Sequence, residues 1–235
     1  MRLVLWDIDG TLVNTAGHGR DAFMQAFETL FRRPPGCDDV PMAGRTDHAI
    51  GLDLLERNGV PDPDELLPRL FEELHAALLA RRELMAEQGS AHPGVREALT
   101  AVGAQNGVLQ SLLTGNIEPN AELKLAAFDL HTLVDLQIGG YGSDHGTRSE
   151  LVAVARRKAR ARHGAEVSAA ETVVVGDTPL DVDAAHAAGA RAVAVATGPY
   201  TAQELEQAGP DAVLEDVRDV DALLAALGLP GEGCP

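Results

Sequence analysis

Short, unbroken apolar runs punctuate the chain, and each ends in polar or small residues. The first, Leu3-Val4-Leu5-Trp6, stops at Asp7-Ile8-Asp9-Gly10. Similar runs occur at Val108–Leu113, Val134–Ile138, Thr172–Val175 and Ala192–Ala196, with a weaker one at Ala212–Leu214. Runs without polar alternation predict strands covered on both faces. Between them, apolar positions recur at helical spacing over Val95–Gln105, Ala121–Phe128, Glu150–Arg162, Leu180–Ala188, Ala202–Ala208 and Val220–Leu227. Strands alternating with helices predict an α/β fold with a parallel sheet between two helical layers.

One region breaks the alternation. From Thr15 to Gly89 no strand pattern is found, only amphipathic helices. Arg20–Phe31 carries Phe23, Phe27, Leu30 and Phe31, and His48–Arg57 carries Ile50, Leu54 and Leu55. Asp64–Glu87 reads as one long helix with Leu67, Leu70, Phe71, Leu74, Leu78 and Leu79, Pro68 being tolerable near its start. An all-helical block behind the first strand predicts an inserted domain over residues 15–89, within a core made of residues 1–14 and 90–228. Thr15-Ala16-Gly17 and Ser90–Gly94 are the expected hinges, and the low-complexity tail, residues 229–235, is expected to be disordered.

Composition narrows the function classes. The 235 residues carry a net charge of −17, which disfavours a nucleic-acid partner. Two cysteines, Cys37 and Cys234, make neither a disulfide framework nor a thiolate metal site. No apolar stretch reaches the ~18–20 residues of a membrane span, and the N-terminus lacks a secretory pattern. A cytoplasmic protein with no membrane partner is expected. Lys124 and Lys158 are the only lysines among the 19 basic residues, a bias that reads as composition and not as chemistry.

Three strand ends carry candidate chemistry. Asp7 and Asp9 follow the first strand, and Gly10 permits a sharp turn and close ligand approach. Asp177 and Asp181 flank the start of a helix at Gly176-Asp177-Thr178-Pro179-Leu180-Asp181, where Thr178 suits the cap and Pro179 the first turn. Thr114-Gly115-Asn116 offers a hydroxyl and backbone N–H groups to phosphate oxygens. Each alone is compatible with an ordinary turn or helix cap. Together, at the carboxyl ends of one parallel sheet, they converge on a crevice too rich in carboxylate to stay ionised without a counter-charge. Mg²⁺, which takes a few carboxylates together with substrate phosphate, supplies it.

At these motifs the chain resembles the haloacid dehalogenase superfamily of phosphotransferases. Asp7-Ile8-Asp9-Gly10-Thr11-Leu12 is similar to the family's first motif, Thr114-Gly115 to its second and Gly176–Asp181 to its fourth. The helical insertion resembles the cap of the phosphoglycolate phosphatase and β-phosphoglucomutase branch. The resemblance implies a Rossmann-like three-layer core and a helical cap that closes over the site. It also implies Asp7 as the nucleophile and Asp9 as general acid and base. Asp7, the Asp9 carbonyl and Asp177 would hold Mg²⁺, with Asp181 behind them, and Thr114, Gly115 and Asn116 would bind phosphoryl oxygens. Dehalogenases of the superfamily carry an aromatic residue where Asp9 stands, so Asp9 points to phosphate esters.

The third motif, usually Lys-Pro, is missing. Arg148 is the candidate cation and Lys158 its rival. In the cap loop Gly44-Arg45-Thr46-Asp47, Arg45 is a candidate substrate contact, with His18 and Arg20 as weaker ones. The expected activity is Mg²⁺-dependent hydrolysis of a small phosphate monoester of the phosphoglycolate or sugar phosphate class by a monomer or homodimer. A phosphomutase of the β-phosphoglucomutase type is the alternative, and a non-catalytic binding protein on the same fold a more distant one.

Overall fold

The computed structural model describes residues 1–230. The chain runs β1 (Arg2–Trp6), β2 (Val13–Asn14), α1 (His18–Phe31), α2 (Asp47–Arg57), α3 (Pro63–Ala80), α4 (Arg82–Gln88), β3 (Ser90–Ala91), α5 (Val95–Gly103) and β4 (Val108–Thr114). It continues through α6 (Glu118–Ala126), β5 (Gly140–Tyr141), α7 (Arg148–His163), β6 (Thr172–Gly176), α8 (Pro179–Ala187), β7 (Arg191–Val195), α9 (Ala202–Gln207), β8 (Ala212–Leu214) and α10 (Val220–Ala226).

The apolar run of β1 is explained by its two covered faces. Val4 and Trp6 pack with Leu99, Leu125 and Leu223 of α5, α6 and α10, whereas Leu3 and Leu5 pack with Leu151, Val182 and Leu205 of α7, α8 and α9. Six strands form one sheet in the order β5-β4-β1-β6-β7-β8, every neighbouring pair parallel. The chain leaves β1 toward β4 and β5, then returns to β6 on the other side. The carboxyl end of β1 is therefore the switch point of the sheet, where open α/β folds bind ligands.

Helices α1–α4 lie between β2 and β3, which pair antiparallel through Val13↔Ala91 and Asn14↔Ser90. The two segments that join the helices to the sheet are thereby held to each other. Phe23, Phe27, Leu54, Leu70, Leu74 and Leu78 form a cluster of their own, joined by Ile117 and Leu123 at α6.

Two sequence expectations are corrected. Val134–Ile138 is not a strand. His131–Leu133 and Leu136–Ile138 are 3-10 turns, the Asp135 side chain accepts the Gln137 N–H, and the edge strand is β5, set beside Leu113 and Thr114. Val134 and Ile138 are buried as turn residues filling the two opposite faces of the core, which looks like a strand in one dimension. Asp64–Glu87 is two helices, broken at Arg81, whose side chain reaches Asp21 and Gln25 on α1. Pro68 lies inside α3. In the tail expected to be disordered, residues 231–235 lie outside the described residues, while the Leu229 N–H bonds the Leu224 carbonyl. Among the described residues no helix is long and apolar enough to cross a membrane.

Candidate active site

Asp7 follows β1 directly, and its N–H bonds the Val175 carbonyl at 2.9 Å, which ties it to the end of β6. Gly10 then turns the chain at φ 83°, a conformation that favours glycine, and a Cβ there would strike the Asp177 carboxylate. Gly198, in the loop after β7, presses on the same carboxylate. Thr11 Oγ1 donates to Asp177 Oδ1 at 2.8 Å. Asp177 is thus fixed on the crevice floor by two glycines and one hydroxyl. Asp181, in the first turn of α8, accepts the Thr178 N–H and hydroxyl at 3.1 and 2.7 Å through Oδ2, completing a capping box.

Arg148 is the first residue of α7, and its side chain is buried at 9% exposure. Its Nη2 lies 3.0 Å from Asp7 Oδ1, and its Nε donates to Asp181 Oδ1 at 3.0 Å. Asp7, Asp177 and Asp181 present ligand oxygens within 4.8 Å of one another. Burial, reinforced by Asp181 and Asp9 and opposed by Arg148, pushes the Asp7 carboxyl up to about 6. Burial together with Asp7 and Asp181 pushes Asp177 up to about 8. One guanidinium against three buried carboxylates leaves two negative charges unmatched, and all the donors are hard oxygens. That set fits a divalent cation of the Mg²⁺ kind.

A second group stands beside the first. Asp9 accepts Lys124 Nζ at 2.8 and 2.6 Å and Asn116 Nδ2 at 2.8 Å. Asn116 Nδ2 also reaches Thr114 Oγ1 at 2.8 Å, at the end of β4. Burial would raise the Asp9 carboxyl, but the Lys124 charge and the hydrogen bonds from Asn116, Lys124 and Thr15 outweigh it and hold Asp9 below the usual range.

Both groups line a cavity of about 440 Å³ whose far wall is built by α1, α2, α3 and the loop before α2. This loop and the start of α2 are hydrogen-bonded to the connections that follow β4 and precede α7. The Asp47 N–H bonds the Gly115 carbonyl at 2.7 Å, Asp47 Oδ2 accepts the Ile117 N–H at 2.9 Å, and Thr46 Oγ1 donates to the Gly146 carbonyl at 2.9 Å. Burial, against Lys124 and the Ile117 N–H, pushes the Asp47 carboxyl up to about 6. Gly115 has no room for a side chain, since a Cβ would collide with the Arg45 carbonyl.

Asp7, Asp9, Gly10, Thr114, Gly115, Asn116, Arg148 and Asp177 share this cavity, and Asp181 stands just behind it. Arg45 also lines it, but its guanidinium is taken up by Asp53 at 2.8 Å and by the carbonyls of Pro41 and Ala49. Arg20 donates to the Val40 and Asp38 carbonyls, and His18 faces Gln88. Lys158 is elsewhere, bound to Asp144 at 2.8 Å and to the Gly139 carbonyl. Lys124 and the Asp47 carboxylate were not singled out from the sequence. A signal existed for Lys124, because it falls on the apolar stripe Ala121, Leu125 and Phe128 of a helix that follows a strand end.

A haloacid dehalogenase-like hydrolase family model matches residues 4–186. The chain is 29% identical over 231 residues to a probable phosphatase, IndB, of Dickeya dadantii, covering 96% of this chain and 94% of that protein. It is 29% identical over 235 residues to a phosphoglycolate phosphatase of Pseudomonas fluorescens, covering 92% and 77%. The crystal structure of CbbY from Rhodobacter sphaeroides in complex with phosphate shares the fold, with a TM-score of 0.70 at 22% identity over 97% of this chain and 100% of that one. With the matched segment running from β1 into α8 and spanning all three strand ends, the chain belongs to the haloacid dehalogenase-like hydrolase family.

Proposed function

We propose that the protein is a Mg²⁺-dependent phosphatase that hydrolyses a small phosphate monoester, of the phosphoglycolate or sugar phosphate class, through an aspartyl-phosphate on Asp7. The observation that carries this reading is the buried Asp7–Asp177–Asp181 group around Arg148 at the switch point, with Asp9 facing the same cavity. Relatives named phosphatase and phosphoglycolate phosphatase support it.

Asp7 attacks phosphorus and the P–O bond to the leaving group breaks, while Asp9, which Lys124 and Asn116 hold as a carboxylate in the free site, takes up the proton of the monoanionic phosphate ester and delivers it to the departing oxygen. Asp9 then takes a proton from the water that attacks the phosphorus of the aspartyl-phosphate, releasing phosphate and restoring the Asp7 carboxylate. Thr114 and the N–H groups of Gly115 and Asn116 cradle the phosphoryl oxygens, and Arg148 neutralises charge without moving protons. Asp7, the Asp9 carbonyl and Asp177 would hold Mg²⁺, with Asp181 steadying the shell; bound there, the ion supplies counter-charge to the phosphoryl oxygens. Helices α1–α4 act as the cap that excludes water and contacts the leaving group.

The experiment is Asp7→Asn with para-nitrophenyl phosphate and Mg²⁺. Loss of at least about 1,000-fold in kcat is expected, and a wild-type rate would refute the nucleophile. A phosphomutase would share these residues but yield a phosphate isomer in place of free phosphate, so product analysis with a sugar phosphate separates the two.

A further inference from the structure

Lys124 is almost fully buried, and its three ammonium hydrogens meet three acceptors. Asp9 Oδ1 lies at 2.8 Å, Asp9 Oδ2 at 2.6 Å and Asn116 Oδ1 at 2.6 Å. Asn116 in turn donates to Asp9 Oδ2 and to Thr114 Oγ1, both at 2.8 Å. A closed set of contacts therefore links the end of β4 to the second carboxylate of the β1 loop, with Lys124 reaching in from α6. Within its own loop Asp9 has only Thr15 Oγ1, at 3.5 Å, to hold it.

We propose that Lys124 is a positioning residue: with Asn116 it fixes the Asp9 carboxylate in the orientation from which it exchanges a proton with the leaving oxygen and with the attacking water. The inference rests on Asp9 being the general acid and base. The alternative is that Lys124 merely offsets a negative charge in the fold. Geometry argues against this, because a single-point offset would not need both carboxylate oxygens and the neighbouring amide engaged at once. A misplacement of about 1 Å at a reacting group costs about 100-fold in rate.

The two roles separate in pre-steady-state kinetics. In the wild-type mechanism Asp9 acts twice, protonating the leaving oxygen and then deprotonating water. Para-nitrophenolate leaves with little help from an acid, whereas an alkoxide needs the proton. In Lys124→Met, para-nitrophenyl phosphate should give a burst of about one equivalent of para-nitrophenol followed by turnover slowed about 100-fold. An alkyl ester such as glycerol phosphate should show no burst, a similar fall in kcat and a KM within about threefold of wild type. Lys124→Gln, which keeps a polar donor, provides the same readout if the methionine variant does not fold. Asp9→Asn is run alongside. If Asp9→Asn shows the burst and the lysine variants slow both esters equally without one, Lys124 does not position Asp9. If Asp9→Asn itself shows no difference between the esters, the acid–base reading of Asp9 fails.

Discussion

Replacing Asp177 by Asn should stabilise the metal-free protein while abolishing its response to Mg²⁺. Asp177 is 1% exposed, and burial with Asp7 and Asp181 nearby raises its carboxyl from 3.8 to about 8. A folded-state value above the unfolded one means that the native state binds more protons, so stability falls as pH rises between the two values. At 1.36 kcal/mol per pH unit, the strain on an ionised Asp177 at pH 8 amounts to at most about 5 kcal/mol. Asn has the same shape, still accepts the Thr11 hydroxyl and carries no charge. Since Asp7 and Asp181 continue to repel each other, a gain of about 2 kcal/mol or more is expected, a rise of about 4–8 °C in Tm for a chain of this size. Thermal unfolding at pH 8 with a chelator, and again with about 10 mM Mg²⁺, reads both effects. A variant less stable than wild type in chelator, or one that gains as much from Mg²⁺ as wild type does, would refute the reasoning.

Other outcomes follow from the same geometry. In chelator, wild-type Tm should fall from pH 5 to pH 8, because Asp7 and Asp47, both raised to about 6, and Asp177, raised to about 8, lose protons in the folded state; protection by Mg²⁺ should grow over the same interval. A Tm that rises with pH in chelator would contradict this. Gly115→Ala should push the Arg45–Asp47 loop off the sheet, raising KM at least about tenfold and exposing Thr15–Gly17 to limited proteolysis, with the sheet itself intact. Phe27→Ala, in the centre of the helical cluster, should cost about 3–5 kcal/mol in urea unfolding, and a loss below about 1 kcal/mol would mean that the site collapses freely.

The strands that carry the site were legible because burial on both faces leaves a continuous apolar run, as in Leu3–Trp6 and Thr172–Val175. The edge strand was not, because Gly140-Tyr141 has two residues and no pattern, while Val134–Ile138 imitates a strand with turn residues that fill gaps. The acidic motifs were visible as strand ends, but the order β4-β1-β6 that makes them neighbours is a property of the folded sheet. Lys124 and Asp47 are hidden in the sequence for the same reason. A lysine in a helix and an aspartate at a helix start are ordinarily solvated, and only the docking of α6 and α2 over the strand ends turns them inward.

The claim on which the mechanism depends is that phosphate is carried on Asp7. Turnover quenched in acid, followed by borohydride reduction, converts an aspartyl-phosphate to homoserine, and trypsin releases Leu3–Arg20, in which Asp7 and Asp9 are the only acidic residues. Fragment-ion mass spectrometry of that peptide should place homoserine at position 7. Homoserine at position 9, or none at either position in an enzyme that is turning over, would contradict the account.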